Sequence, residues 1–346
     1  MNKRKAAVFL LALCLLPAGA LEVKQGMMKL VIDESSARIS LYKLVDIAKG
    51  RYEPLFYDLD PRTSYATLSF NGRQVKLGDA ADYRFSVART DTGARIEFHS
   101  SSCVIDEDLD FVNSVGAALA DGVKLSFKLT NVSQKEADIG LRFLLDTNLG
   151  EKSGTHFRTD LREKVTGESL LEPRTGDSWL SSPGEKLETM AVLKGSGLDG
   201  PDKVILANWK RINEEPWYFE PVPGRSFTLL PYSVNDSAVA LFWMPKTLAQ
   251  GESRSLSLIL GLYNEKGYPL QTQGLDAGTQ ALFESTVLAS TKATDEKSAM
   301  EADLIAVRDL LSRMDQALSS GKPLSADQID AWKEILETLE ARKKGK

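Results

Sequence analysis

Val123-Lys124-Leu125-Ser126-Phe127-Lys128-Leu129 is the stretch that decides the fold class. Val, Leu, Phe and Leu take alternate positions, and Lys, Ser and Lys fill the gaps. A period of two places every apolar side chain on one face of an extended chain, as a half-buried antiparallel strand requires. The same rhythm recurs on both sides of it. Ile139 to Leu145 turns Leu141, Phe143 and Leu145 one way, after the polar turn Asn131-Val132-Ser133-Gln134. Upstream, Met28 to Asp33 and Arg38 to Tyr42 flank a polar turn and read as a hairpin. Tyr65 to Phe70 and Arg73 to Leu77 flank Asn71-Gly72, the strongest short-range hairpin signal. Tyr83 to Ala88, Ala94 to His99 and the stretch holding Cys103 follow. Downstream, Val204 to Ala207, Phe227 to Leu230, Ala238 to Trp243 and Ser253 to Leu260 extend the series. So many short strands, punctuated by Gly and Pro, predict a mainly β chain built as one large antiparallel β-sandwich. Two smaller sandwiches are the alternative.

The period changes near residue 290. Met300, Leu304, Val307, Leu311, Met314 and Leu318 recur at alternating intervals of four and three, one apolar stripe of a helix. Gly321 and Pro323 stop it. Ser325 precedes Gln328 by three, a capping-box arrangement, and Ile329, Trp332, Leu336 and Leu339 form a second stripe. The pair predicts a C-terminal αα-hairpin whose stripes must close on each other, on the sandwich or on a partner. Leu304, Val307, Leu311, Met314, Ile329, Trp332 and Leu336 are the expected interface residues. The expected organisation is a leader over 1–20, the sandwich over 21–275, a linker over 276–295, the hairpin over 296–342 and a basic tail over 343–346.

The leader reading rests on Asn2-Lys3-Arg4-Lys5, the apolar run from Ala6 to Leu16 and the small residues Ala18-Gly19-Ala20. That run is about half the roughly 20 residues that span a bilayer. Cleavage after Ala20 would export the chain, to the periplasm first, with the cell surface or the extracellular space as alternatives. Cys14 lies inside the run, but Leu13 before it departs from the small residue of a lipidation signal; lipid attachment stays open. The chain has two cysteines. Loss of Cys14 leaves Cys103 without a disulfide partner, so core packing must hold the fold. The net charge is −5 with both signs interspersed. No basic patch interleaved with aromatics is present, which argues against nucleic acid as a partner.

Candidate chemistry is sparse. There are two histidines, no paired cysteines and no His-Glu-x-x-His motif, so the usual zinc sites are not expected. Asp106, Asp108 and Asp110 would share one strand face and are weak candidates for calcium; no other cofactor is expected. Asp146 and Asn148 follow directly on a hydrophobic strand, and His156, Arg158 and Asp160 lie in the polar stretch after it. Carboxylates and a histidine in one loop suit hydrogen bonding or acid–base chemistry. Trp209, Trp217 and Tyr218 are a second candidate set: rings that could face a sugar or peptide, or plug one end of the sandwich.

Gly26-Met27-Met28-Lys29-Leu30, the strand Arg38 to Tyr42 and Glu53-Pro54-Leu55-Phe56 resemble the opening of galactose-mutarotase-like supersandwich domains. The resemblance spans at most residues 24 to 265. It implies a sugar-binding sheet face, in a group that holds both epimerases and non-catalytic accessory domains. The leading expectation is a non-catalytic periplasmic or envelope protein that binds or scaffolds, its hairpin recruiting a protein partner or a second copy. The alternative is a carbohydrate-binding or carbohydrate-active protein, glycosidase or epimerase-like, using loop carboxylates and a histidine.

Overall fold

The computed structural model describes residues 19–117, 119–195, 197–268 and 326–344, with individual positions between 282 and 317. Its β part holds three antiparallel sheets. A four-stranded sheet runs in sequence order through β1 (Ala20–Gln25), β2 (Met28–Asp33), β3 (Arg38–Asp46) and β4 (Arg51–Pro54). An eight-stranded sheet takes β7 (Arg84–Arg89), β8 (Gly93–His99), β9 (Cys103–Val112) and β10 (Gly122–Asn131). It continues through β18 (Ser253–Leu262), β15 (Glu188–Val192), β14 (Trp179–Pro183) and β12 (Arg158–Thr159). A six-stranded sheet has the order β6 (Arg73–Lys76), β5 (Tyr65–Phe70), β11 (Ala137–Asp146), β17 (Ser237–Leu248), β16 (Lys203–Asn208) and β13 (Ser169–Leu171).

All three sheets feed one core. Met28, Leu30 and Ile39 of the four-stranded sheet join Leu125 and Phe127 of β10 and Phe143 and Trp243 of the six-stranded sheet. Phe127 meets Phe143 and Trp243 with ring centroids 6.2 Å apart, which fastens the two large sheets face to face. The architecture is therefore the expected large antiparallel sandwich, with the N-terminal sheet as a third wall. Glycine is structurally required at Gly72 and Gly140, among other positions. Gly72 (φ 80°) and Asn71 (φ 50°) close the β5–β6 hairpin in the left-handed region. Gly140 sits at a register shift of β11, where a Cβ would come within 2.8 Å of the Trp243 carbonyl oxygen.

One local expectation is corrected, and the acidic run of β9 finds its place. Phe227 to Leu230 is not a strand: only single bridges occur there, because side chains take its backbone carbonyls. Asn208 donates to the Phe227 oxygen and Arg211 to the Thr228 oxygen. Glu107, between the flagged acids of β9, points inward and is fully buried near Arg38. Asp106, Asp108 and Asp110 do share the outer face, but each faces a partner. Asp108 receives two hydrogen bonds from Arg95, Asp110 accepts from Thr92, and Asp106 lies opposite Lys128. Among the described residues no group of three or more His, Cys, Asp or Glu is arranged to hold a metal ion.

The C-terminal region is helical at its described positions from 303 to 317 and in α3 (Ala326–Lys344). Leu282, Leu310, Ala331, Trp332, Ile335 and Leu339 form its own small core, with Val307 and Met314 packed against it. The hairpin thus closes on itself in a rotated register. Val307, Met314 and Trp332 turn inward, while Leu304 (72% exposed), Leu311, Ile329 and Leu336 face out. Leu282 and Thr286, within the stretch expected as a linker, are buried; Arg342 donates to the Thr286 carbonyl. The leader up to residue 18, Met300, Leu318 and Ser325 lie outside the described residues. Among the described residues no helix is long and apolar enough to cross a membrane.

Candidate functional site

The outer face of the six-stranded sheet is built by alternation. Leu141, Phe143 and Leu145 of β11 enter the main core, so Arg142, Leu144 and Asp146 point the other way. Register extends this into rows. Asp146 lies beside Ala238, Leu144 beside Tyr65 and Ala240, and Arg142 beside Thr67 and Phe242. The face therefore runs from an acidic end at Asp146, through an apolar centre of Tyr65, Leu144, Ile205 and Ala240, to a basic end at Arg142.

A cover lies on this face. It begins with α2 (Trp209–Glu214), whose N-cap Asn208 accepts from the Arg211 amide. Asn208 is fully buried and also donates to the Asp236 carbonyl and the Ser233 hydroxyl. Arg211 bonds Glu168 at 2.7 Å, and Glu168 in turn accepts from the Val222 amide. Trp217 is buried edge-on against Phe242, with centroids 5.8 Å apart. Arg142 is wholly buried under this cover, donating to the Ile212 carbonyl at 2.8 Å.

At the acidic end three segments meet. Asp146 closes β11, Glu151 sits in the short helix α1 (Leu149–Ser153), and Asp236 precedes β17. Glu151 accepts from the Ser237 amide at 2.8 Å, and the Thr147 hydroxyl donates to the Ser237 carbonyl at 2.6 Å. Burial raises the Asp146 carboxyl to about 7, opposed by a Thr63 hydrogen bond and reinforced by Asp236 and Asp60. Burial likewise raises Glu151 to about 8, against the Ser237 amide and with help from Asp236 and Asp146. Asp236 is raised by burial too, though a Ser233 hydrogen bond holds it back. The result is a corner in which two carboxyls, Asp146 and Glu151, hold protons near neutral pH, where general acid–base groups are tuned to work. Trp209 borders it, its indole N–H donating to the Thr63 carbonyl at 2.9 Å.

Asp146 and Trp209, from the two candidate sets, are brought together through Thr63. The other candidates are placed elsewhere. Asn148 holds the N-cap position of α1 with its Oδ1 buried and unpartnered. His156, in a stretch whose polar composition suggests an exposed loop, is buried with its ring 4.5 Å from that of Phe227; burial lowers its pKa, and its Nδ1 has no partner. Arg158 forms a two-bond pair with Glu188 on the eight-stranded sheet, and Asp160 caps the Ser178 amide and hydroxyl. Trp217 packs in the cover, whereas Tyr218 is 72% exposed. Glu151, Asp236 and Thr63 are members that sequence reasoning missed. Glu151 lay in the flagged loop; Asp236 has no local signal, since only β11–β17 pairing brings it near.

No family model matches the chain, and no curated protein matches it. Solved structures do. A galactose mutarotase-like protein from Lactobacillus casei is 12% identical, over 71% of this chain and 100% of its own, with a TM-score of 0.44. An aldose epimerase homologue from C. elegans is 11% identical, over 71% and 99%, with a TM-score of 0.42. An alpha-N-acetylgalactosaminidase from Bifidobacterium bifidum is 12% identical, over 71% of this chain and 36% of its own, at 0.41.

Proposed function

We propose that this chain is an exported, carbohydrate-directed protein that engages a saccharide at the Asp146–Glu151–Asp236 corner. The observation that carries the reading is the pair Asp146 and Glu151, set around Ser237 and holding protons up to about pH 7 and pH 8 beside Trp209. Carboxyl groups in both states donate to and accept from hydroxyls, and an indole face offers apolar surface to a sugar's C–H groups. The two carboxyls titrate as a coupled pair. Between their two steps one proton is shared in the corner, so an acid and a base coexist there. The test is a screen of saccharide binding and turnover with the full chain, Asp146→Asn and Glu151→Gln. Binding that both substitutions weaken supports the reading; binding indifferent to both defeats it.

A second reading is favoured by one observation. After the hairpin has closed on itself, Leu304, Leu311, Ile329 and Leu336 still face outward. That surface suits recruitment of a protein partner or self-association. Light scattering on the full chain and on a version ending near residue 290 tests it: association of the full chain alone supports it.

A further inference from the structure

At the far end of β17 a cavity of about 540 Å³ opens between the two large sheets. It lies roughly 20 Å along the strand from the carboxyl corner, six residues at about 3.4 Å each, and on the opposite face of the sheet. Its volume is within the roughly 300–1,000 Å³ of small-molecule sites. Leu193, Leu256 and Trp243 give it an apolar floor, and the Trp243 indole N–H is fixed by the Asp199 carbonyl at 2.7 Å.

Its charge is one-sided. Arg174, Lys194, Lys246 and Arg254 all line it. Asp202 pairs with Arg174, lies 3.6 Å from Arg254 and accepts from the Met244 amide. Asp199 is the other carboxylate at the wall and acts on Arg254. Four cations against two carboxylates leave a net charge of +2. Asp202 and Asp199 occupy the arginines. The lysines are the surplus: Lys194 reaches only the Gly176 carbonyl at 3.4 Å, and Lys246 has no carboxylate partner among the described residues. Neither ammonium is paired with a carboxylate among the described residues, yet both stand on the rim of an apolar-floored cavity, where a ligand anion gains from both.

We infer that this cavity binds a carboxylate-bearing small molecule of sugar size, its carboxylate held between Lys194 and Lys246 and its body on the Leu193–Leu256 floor. Asp202 shows how the wall already treats a carboxylate: two arginines and a backbone amide converge on it. The site is independent of the carboxyl corner and takes the opposite charge.

The test titrates the full-length protein with galacturonate, galactose and inorganic phosphate, following the five tryptophan indole N–H resonances and the heat of binding. Galacturonate is expected to shift the Trp243 resonance and to bind less tightly as salt rises. The double substitution Lys194→Gln with Lys246→Gln, at two exposed positions, is expected to weaken it by about tenfold or more, as loss of two charges requires. Asp146→Asn is expected to leave the galacturonate-induced shift of the Trp243 resonance unchanged, so failure of the saccharide corner and failure of this cavity are separable. The inference is overturned if galacturonate leaves Trp243 unmoved, if the lysine substitutions do not weaken it, or if phosphate binds as tightly, which would mark a general anion surface.

Discussion

Replacing Asp146 with Asn should make the protein more stable at alkaline pH. The folded-state carboxyl sits at about 7 against an ordinary 3.8, so above pH 4 the folded chain keeps a proton that the unfolded chain releases. Its contribution to stability is therefore full in acid and is lost as pH rises towards 7. At about 1.4 kcal/mol per pH unit, the interval sets a ceiling of about 4 kcal/mol. The corner is coupled and half-open on the Glu151 side, so about 2 kcal/mol is the expected effect. Asn keeps the shape and an oxygen for Thr63, and it cannot ionise. Urea unfolding followed by far-ultraviolet circular dichroism, at about pH 5 and about pH 9, reads the difference. The wild-type chain should lose stability between the two, and Asp146→Asn should lose less. A difference that fails to grow with pH would refute the account of the corner.

Other outcomes follow from the same structure. Trp217→Ala should cost about 3–5 kcal/mol, because it empties a buried ring site against Phe242, and thermal unfolding measures it. Cys103 is buried and its thiol is pushed up to about 12, so a thiol reagent should modify it only as fast as the sandwich opens. Leu304→Ser with Leu311→Ser should leave stability within about 1 kcal/mol, since both are exposed, yet lower any self-association seen by light scattering.

The sandwich was legible wherever residues alternate in character along a strand, whether the second face is open, as in Gly122–Asn131, or covered, as in Ala137–Asp146. Gly122–Asn131 and Ala137–Asp146 show period two clearly enough for the fold class to follow. Residues 158 to 192 were not legible: β12 to β15 are short, and Ser181 and Ser182 are buried polar residues that break the pattern. Phe227 to Leu230 fails in the opposite sense, a β-like composition whose carbonyls are claimed by Asn208 and Arg211. The hairpin's existence was readable, but its packing register was not, because Ala331 and Ile335 displace Ile329 and Leu336 from the seam. Of the three acids of the carboxyl corner, one was read from the sequence. Asp146 follows its strand visibly, whereas Asp236 joins only through contacts 90 residues apart, such as Thr147 to Ser237.

The most direct test of the central claim is a glycan array probed with the full chain, Asp146→Asn and Glu151→Gln at neutral pH. The account predicts that the wild-type chain retains at least one glycan class and that both substitutions reduce the signal while the proteins stay folded. Glycan binding that survives both substitutions, or no glycan retained by the folded wild-type chain, would contradict it.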